Sequence, residues 1–270
     1  MRPNFNPKSI RKTVIEMAYA GSTVHIGCAL SIVEILAVLY RQFLNYPNND
    51  PLHVDRDYLV LSKGHGVMAQ YACMRELNWL PEKAIKDYFS NGSELKGLSE
   101  FGVPGLEVTS GSLGHGFSIG VGIALGAKLS NTNQKTYVIV GDGEINEGSI
   151  WEGALFAAHH QLKNFTVIVD ENGLQALGYT SEILGLGSIE SKFASFGFEV
   201  LSVDGHNEIE IHSALNQLQN SLSSKPKALI AKTIKGKGIS FMENDNIWHY
   251  TRLTPDIYAL AIDELVRNDV

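Results

Sequence analysis

The 270-residue sequence predicts an α/β fold, a parallel sheet flanked by helices. Two observations carry that prediction. Short apolar runs alternate with longer segments of helical period through much of the chain, the pattern of βαβ units. The runs at 58–61, 136–140 and 165–169 exit into glycine- or Asp/Asn-bearing turns, as strands do where they leave a buried sheet.

In order along the chain, apolar residues at helical spacing predict helices over 10–19 and 31–44, followed by a loop at Pro47-Asn48-Asn49-Asp50-Pro51. The strand at 58–61 delivers the glycine-flanked His65 in Ser62-Lys63-Gly64-His65-Gly66, and a helix over 67–77 follows. Residues 91–116 are glycine-rich and poorly periodic. The alternation then returns as helix 117–129, strand 136–140, helix 149–162, strand 165–169, helix 189–196, strand 198–203, helix 207–222 and strand 228–233. No internal repeat or linker interrupts it, so residues 1–270 read as a single domain.

Composition excludes several classes. A net charge of -7, with 22 basic against 29 acidic residues and no basic run, argues against a nucleic-acid backbone as partner. No apolar stretch approaches a membrane span, and the glycine-laced candidate at 118–127 is about half the needed length. Cys28 and Cys73 are too few for a disulfide framework or a structural zinc site. The start Met1-Arg2-Pro3-Asn4-Phe5-Asn6-Pro7 lacks the apolar core of a signal peptide, so the expected address is cytoplasmic.

In open parallel sheets ligands bind beyond the carboxyl ends of the strands. Strand 136–140 runs into Gly141-Asp142-Gly143-Glu144, and strand 165–169 into Asp170-Glu171-Asn172-Gly173-Leu174. If the two strands are neighbours, the Asp142 carboxylate and the Asn172 side-chain carbonyl emerge on one edge and can share a cation. Mg2+ takes few of its six oxygens from protein and the rest from water and phosphates. Gly141 and Gly143 would let a phosphate approach the main chain, and the helix beginning near Ser149 would add its positive end. Either motif alone is a common turn; the pairing, one βαβ unit apart, favours a metal-diphosphate site.

Gly-Asp-Gly followed about thirty residues later by Asn, each after a strand, resembles the thiamine diphosphate motif, and the chain is similar to the N-terminal, diphosphate-binding domain of the transketolase family. The resemblance extends through Asp55-Arg56-Asp57, Ser62-Lys63-Gly64-His65-Gly66, Ser110-Gly111-Ser112-Leu113-Gly114-His115-Gly116, Glu147-Gly148 with Trp151-Glu152, and Lys232-Thr233-Ile234-Lys235-Gly236-Lys237-Gly238. It implies the thiamine diphosphate-binding fold, with thiamine diphosphate and Mg2+ (or Ca2+ or Mn2+) as cofactors. Asp142, Asn172 and the Leu174 carbonyl would hold the metal, Gly143, Asn172, His65 and His249 would surround the diphosphate, and Gly111 and Leu113 would line the pocket. Glu147 stands where related enzymes meet the activating glutamate of the other domain; a first-turn glutamate also simply favours the helix dipole.

The implied reaction transfers a two-carbon ketol unit from a ketose or ketose phosphate to an aldose, with the cofactor as electron sink. His25, His65 and His249 are the expected catalytic histidines, His25 and His249 moving protons and His65 holding cofactor and donor. His159, His160 and His212 fall in predicted helices and read as packing or surface residues, and His115 is a weaker candidate.

Transketolases carry a second domain that supplies the activating glutamate and most sugar-phosphate contacts. The expectation is therefore a separate C-terminal, pyrimidine-binding subunit, the two chains forming an α2β2 heterotetramer. Two departures lie on the substrate side. Gly97-Leu98-Ser99-Glu100-Phe101 replaces the family's Gly-His-Pro, and Val24 replaces the glycine before His25, which points to altered sugar preference. Competing readings are the alpha subunit of a 2-oxoacid dehydrogenase or a related lyase, and a catalytically silent partner. A nicotinamide dinucleotide fingerprint at Gly120-Val121-Gly122-Ile123-Ala124-Leu125-Gly126 lacks a preceding strand.

Overall fold

The protein, as a computed structural model, is described over residues 2–267; Met1 and residues 268–270, the ends of the expected 1–270 domain, lie outside the described residues. Helix α1 (Pro7–Ala20) starts where Asn6 accepts the Lys8 amide at 2.9 Å and Pro7 occupies the first turn. Next come α2 (Ile26–Leu30) and α3 (Val33–Val38). The expected single helix over 31–44 is instead α3 running into a π-helical turn at Leu39–Phe43.

Strand β1 (Tyr58–Leu61), helices α4 (Val67–Glu76), α5 (Glu82–Lys86) and α6 (His115–Leu129), β2 (Thr136–Gly141), α7 (Gly148–His159) and β3 (Phe165–Glu171) follow. The chain continues through the small hairpin β4 (Leu174–Gln175) and β5 (Gly178–Tyr179), then α8 (Thr180–Leu184), α9 (Ile189–Ser195), β6 (Glu199–Asp204), α10 (Glu208–Gln219), β7 (Lys227–Lys232) and α11 (Pro255–Arg267).

The 5-stranded sheet has the order β1-β2-β3-β7-β6 and every pair is parallel. Successive side chains of a strand face opposite sides, and the burial follows that period of two. Leu59, Leu61, Tyr137, Ile139, Ile168 and Leu229 pack on one face with α1, α3, α4 and α10. Val60, Val138, Val140, Val167, Val169 and Ile230 pack on the other with α6, α7 and α9. From β1 to β6 the chain steps across the sheet in one direction, then returns one place to β7. That reversal puts α10 on the face opposite α6, α7 and α9, as right-handed crossovers require. Both faces are thus covered, which explains the continuous apolar strands. Among the described residues no helix is long and apolar enough to cross a membrane.

Candidate active site

β2 and β3 are neighbours in register, with Gly141 opposite Asp170, so their exits meet at one edge of the sheet. The Gly143 and Gly173 amides donate to the two Asp142 carboxylate oxygens at 2.7 and 2.6 Å, holding the side chain over the turn. Asp142 is only 4% exposed. Burial, reinforced by the Asp170 charge, pushes its carboxyl up to about 7. Desolvation disfavours the anion, and a divalent cation in contact reverses that preference.

Asp170 is fully buried and gathers donors from four side chains: the Ser31 hydroxyl at 2.7 Å, the Asn172 amide at 3.0 Å, the Thr233 hydroxyl and the Lys63 ammonium. Burial opposes its charge, but Lys63 and these hydrogen bonds hold the carboxyl below its usual range. The contact with Asn172 matters for the site because a carboxylate only accepts. That fixes which end of the carboxamide is nitrogen. Its oxygen accepts the Leu174 amide at 3.0 Å.

Gly143 and Gly141 differ in what they allow. A side chain at Gly143 would meet Gln175 Cβ at 2.7 Å, so glycine is required for packing, whereas one at Gly141 would meet only Lys63 Cδ at 3.8 Å. Neither has a positive φ, so neither serves a left-handed backbone turn. Glu144 is a further buried carboxylate, accepting from the Ser62 hydroxyl and the amides of Gly114 and Gly141.

Across the cavity stand three histidines from three elements. Ring centroids are 5.2 Å apart for His25 and His65, 5.3 Å for His25 and His249, and 5.6 Å for His65 and His249. The His25 amide donates to the His249 carbonyl at 3.0 Å, tying the two loops together. Burial is the largest cause of a lowered pKa in all three, with Lys235 adding to each, and His249 falls to about 3. The rings are neutral at pH 7. Ligating atoms of Cys28, His65 and His249 lie within 4.8 Å of one another, but the Lys235 ammonium 2.9 Å from His249 Nδ1 opposes a cation there.

His25, His65, His249, Gly111, Leu113, Asp142, Gly143, Asn172 and Leu174 thus line one cavity of about 400 Å3. Glu147 does not: it caps the start of α7, exposed. His115 is also exposed, at the first turn of α6, while His212 packs on Phe43 at 5.4 Å. The cavity adds Cys28, Lys63, Leu98, Glu144, Gln175 and Ala176 to the expected set. Lys63 and Lys235 lie inside the family-like segments 62–66 and 232–238; Cys28, one helical turn after His25, has no sequence signal of its own.

A family described as transketolase, thiamine diphosphate binding domain, matches residues 7–262. The chain is 40% identical over 256 residues to one of the subunits of apulose-4-phosphate transketolase from Actinobacillus succinogenes, covering 94% of this chain and 92% of that one. It is 39% identical over 257 residues to a 6-deoxy-6-sulfo-D-fructose transketolase subunit of Clostridium sp., covering 95% and 93%. Among solved structures, Campylobacter jejuni transketolase superposes with a TM-score of 0.86 at 29% identity, over 98% of this chain but 43% of that longer one.

Proposed function

From the premise that the chain belongs to the transketolase family, matched over residues 7–262, we propose that it is the cofactor-binding subunit of a two-chain transketolase. Residues 1–270 are then a single diphosphate-binding domain. A C-terminal, pyrimidine-binding subunit completes the site, in an α2β2 assembly. The names of relatives of matching length as transketolase subunits support the second chain and weigh against the 2-oxoacid dehydrogenase and silent-partner readings.

One observation carries the cofactor: a nearly buried carboxylate, Asp142, shares a cavity of about 400 Å3 with Asn172, Leu174 and a glycine whose Cβ would be blocked, Gly143. This donor set is all oxygen, which suits Mg2+ and, with looser geometry, Ca2+ or Mn2+. Asp142, Asn172 and the Leu174 carbonyl would hold the metal; Gly143, Asn172, His65 and His249 would surround the diphosphate. When bound, thiamine diphosphate supplies the electron sink for breaking the bond next to a ketose carbonyl.

The chain's own residues then orient the sugar and hydrogen-bond its oxygens. With Nδ1 facing Lys235, His249 carries its proton on Nε2 and offers it as a hydrogen-bond donor. At a pKa of about 3 it is a weak proton acceptor, so hydrogen-bond donation to a substrate oxygen is its stronger role. His25, less buried than His65, is the better placed of the remaining pair to exchange a proton with a sugar hydroxyl. His65 packs against both and positions the donor.

Calorimetric titration of thiamine diphosphate with Mg2+ into this chain, alone and with its C-terminal partner, tests the reading. Metal-dependent binding in the complex that disappears in Asp142→Ala is expected. No binding by either sample would sink it.

A further inference from the structure

At the amino ends of the strands, the end of the sheet opposite the histidines, a cleft of about 240 Å3 lies beside the end of α10. Lys135 stands just before β2, Lys163 shortly before β3, and Lys227 opens β7, so the parallel sheet brings three lysines from distant parts of the chain into one wall. Tyr137, Thr166 and Lys227 are paired neighbours across β2, β3 and β7, on the face that carries α10. Lys135, two residues before Tyr137, falls on the same face. The Gln219 carboxamide at the end of α10 closes the cleft, donating to the Tyr137 hydroxyl and accepting from the Lys135 ammonium at 2.8 Å.

The chain as a whole carries -7, yet three lysines and no carboxylate line this cleft. Lys227 is 3% exposed, and its ammonium donates to the Lys163 and Lys225 carbonyls at 2.8 and 3.3 Å, which leaves one of its three protons unused. Lys135 uses one proton on Gln219, and the Lys163 ammonium has no partner among the described residues. Burial brings the Lys227 ammonium below its usual range; Glu199 opposes that lowering, while Lys163 and Lys135 add to it. Glu199 stands on β6, the side of Lys227 away from β3 and the other two lysines. Thr166, also in the wall, is 6% exposed, and its hydroxyl has no hydrogen-bond partner among the described residues. A buried hydroxyl is ordinarily paired, and a buried ammonium ordinarily has a counter-ion. An oxyanion in the cleft supplies both.

We propose that this cleft binds a phosphate group, of inorganic phosphate or of a small phosphate monoester, with Lys135, Lys163 and Lys227 as its cations and Thr166 as a neutral donor. A phosphate accepts at several oxygens at once, which matches donors arriving from three strands, and hydrogen bonds from an ammonium to such an oxyanion are the strong, charge-assisted kind. Nothing in this site depends on the transketolase reading: it lies at the end of the strands remote from Asp142 and the histidines, and failure of either leaves the other standing.

Inorganic phosphate and glycerol 3-phosphate are titrated into the full chain by calorimetry at constant ionic strength, so that general screening does not change. The wild type should bind, and the tighter of the two ligands tells a free ion from an ester. Lys163→Ala alters an exposed side chain and Thr166→Val keeps the shape of the residue; each should weaken binding about tenfold, and the two together should abolish it. Melting curves separate folding from binding: without ligand the variants should melt near the wild type, and phosphate should raise the wild-type melting temperature more than theirs. Should Thr166→Val fail to fold, Lys163→Ala and Lys163→Glu decide, the second weakening binding further than the first. Absence of wild-type binding at millimolar phosphate overturns the proposal. So does binding that the substitutions leave unchanged, which would place the anion elsewhere, the histidine-lined cavity included.

Discussion

Nζ of Lys235 lies 2.9 Å from Nδ1 of His249, with the lysine itself 1% exposed. An ammonium donating to one ring nitrogen excludes the proton from that nitrogen and places it on the other. The contact therefore sets both the tautomer and the charge of a ring in the proposed active site.

Replacing Lys235 with Met should free Nδ1 and raise the His249 pKa from about 3, though not to the ordinary 6.5, because burial, the largest cause of the lowering, remains. NMR titration of the ring Cε1–H signal checks this. A ring that already titrates near 6.5 in the wild type would contradict the assignment.

The same shift makes stability depend on pH. Between pH 6.5 and about 3 the unfolded chain binds a proton at His249 that the folded chain refuses, so folding stability falls as pH drops through that window. The lowered values of His25 and His65 act in the same sense. In Lys235→Met the loss of stability from pH 7 to pH 5 should be smaller than in the wild type, read by urea denaturation at both values.

Gly64→Ala should destabilise the chain by about 2–3 kcal/mol, since the new Cβ would stand 2.2 Å from the Ser110 carbonyl oxygen, a backbone atom that cannot rotate away. Gly64 immediately precedes His65, so the backbone shift that relieves the clash should also weaken cofactor binding. A melting temperature equal to wild type would show that the loop around Ser110 yields freely.

These effects separate what the sequence made legible from what it did not. The strands of the large sheet were readable to within one or two residues because burial on both faces leaves unbroken apolar runs with glycine or Asp/Asn at the exits. Asp142 and Asn172 followed from those exits alone. The hairpin of β4 and β5 is two residues a side, too short for any period to register, and α2, α5 and α8 are single turns. Lys63 and Asp170 are 107 positions apart, and nothing local identifies a lysine in a glycine-flanked loop as the buried counter-ion of a strand-end aspartate. A second cavity, which shares His25 and Leu98 with the first, is assembled from residues 22–25, 89–100 and 250–252, so it exists only after folding.

Glu34→Gln should cost about 3 kcal/mol at pH 7, because the Glu34 carboxylate is buried in a two-point contact with Arg11, at 2.6 and 2.9 Å, and accepts from His206 Nδ1 at 3.0 Å. His206 Nε2 accepts the Ile234 amide at 2.7 Å, so the ring donates through Nδ1 and ties the network to the loop bearing Lys235. Burial alone would raise the Glu34 pKa, but His206 and Arg11 bring it below its ordinary 4.5. The stabilisation is then present above pH 4.5 and lost as pH falls through the depressed value. The difference between wild type and variant should shrink in that acid window; a difference independent of pH would mean that packing, not charge, accounts for it.

Leu98 packs so closely on Gly111 that a Cβ there would lie 2.7 Å from Leu98 Cδ1, and it forms the wall between the two cavities. An apolar wall rejects a hydroxyl by leaving it without a partner, and tolerates a carbon that lacks one. Where the family has histidine, this chain therefore gives up a hydrogen bond to the sugar and should favour a substrate without a hydroxyl facing that wall. Leu98→His should shift kcat/KM toward hydroxylated ketoses by about tenfold relative to the sugar the wild type prefers. Equal rates for both sugars before and after the change would assign the selectivity to the partner chain instead.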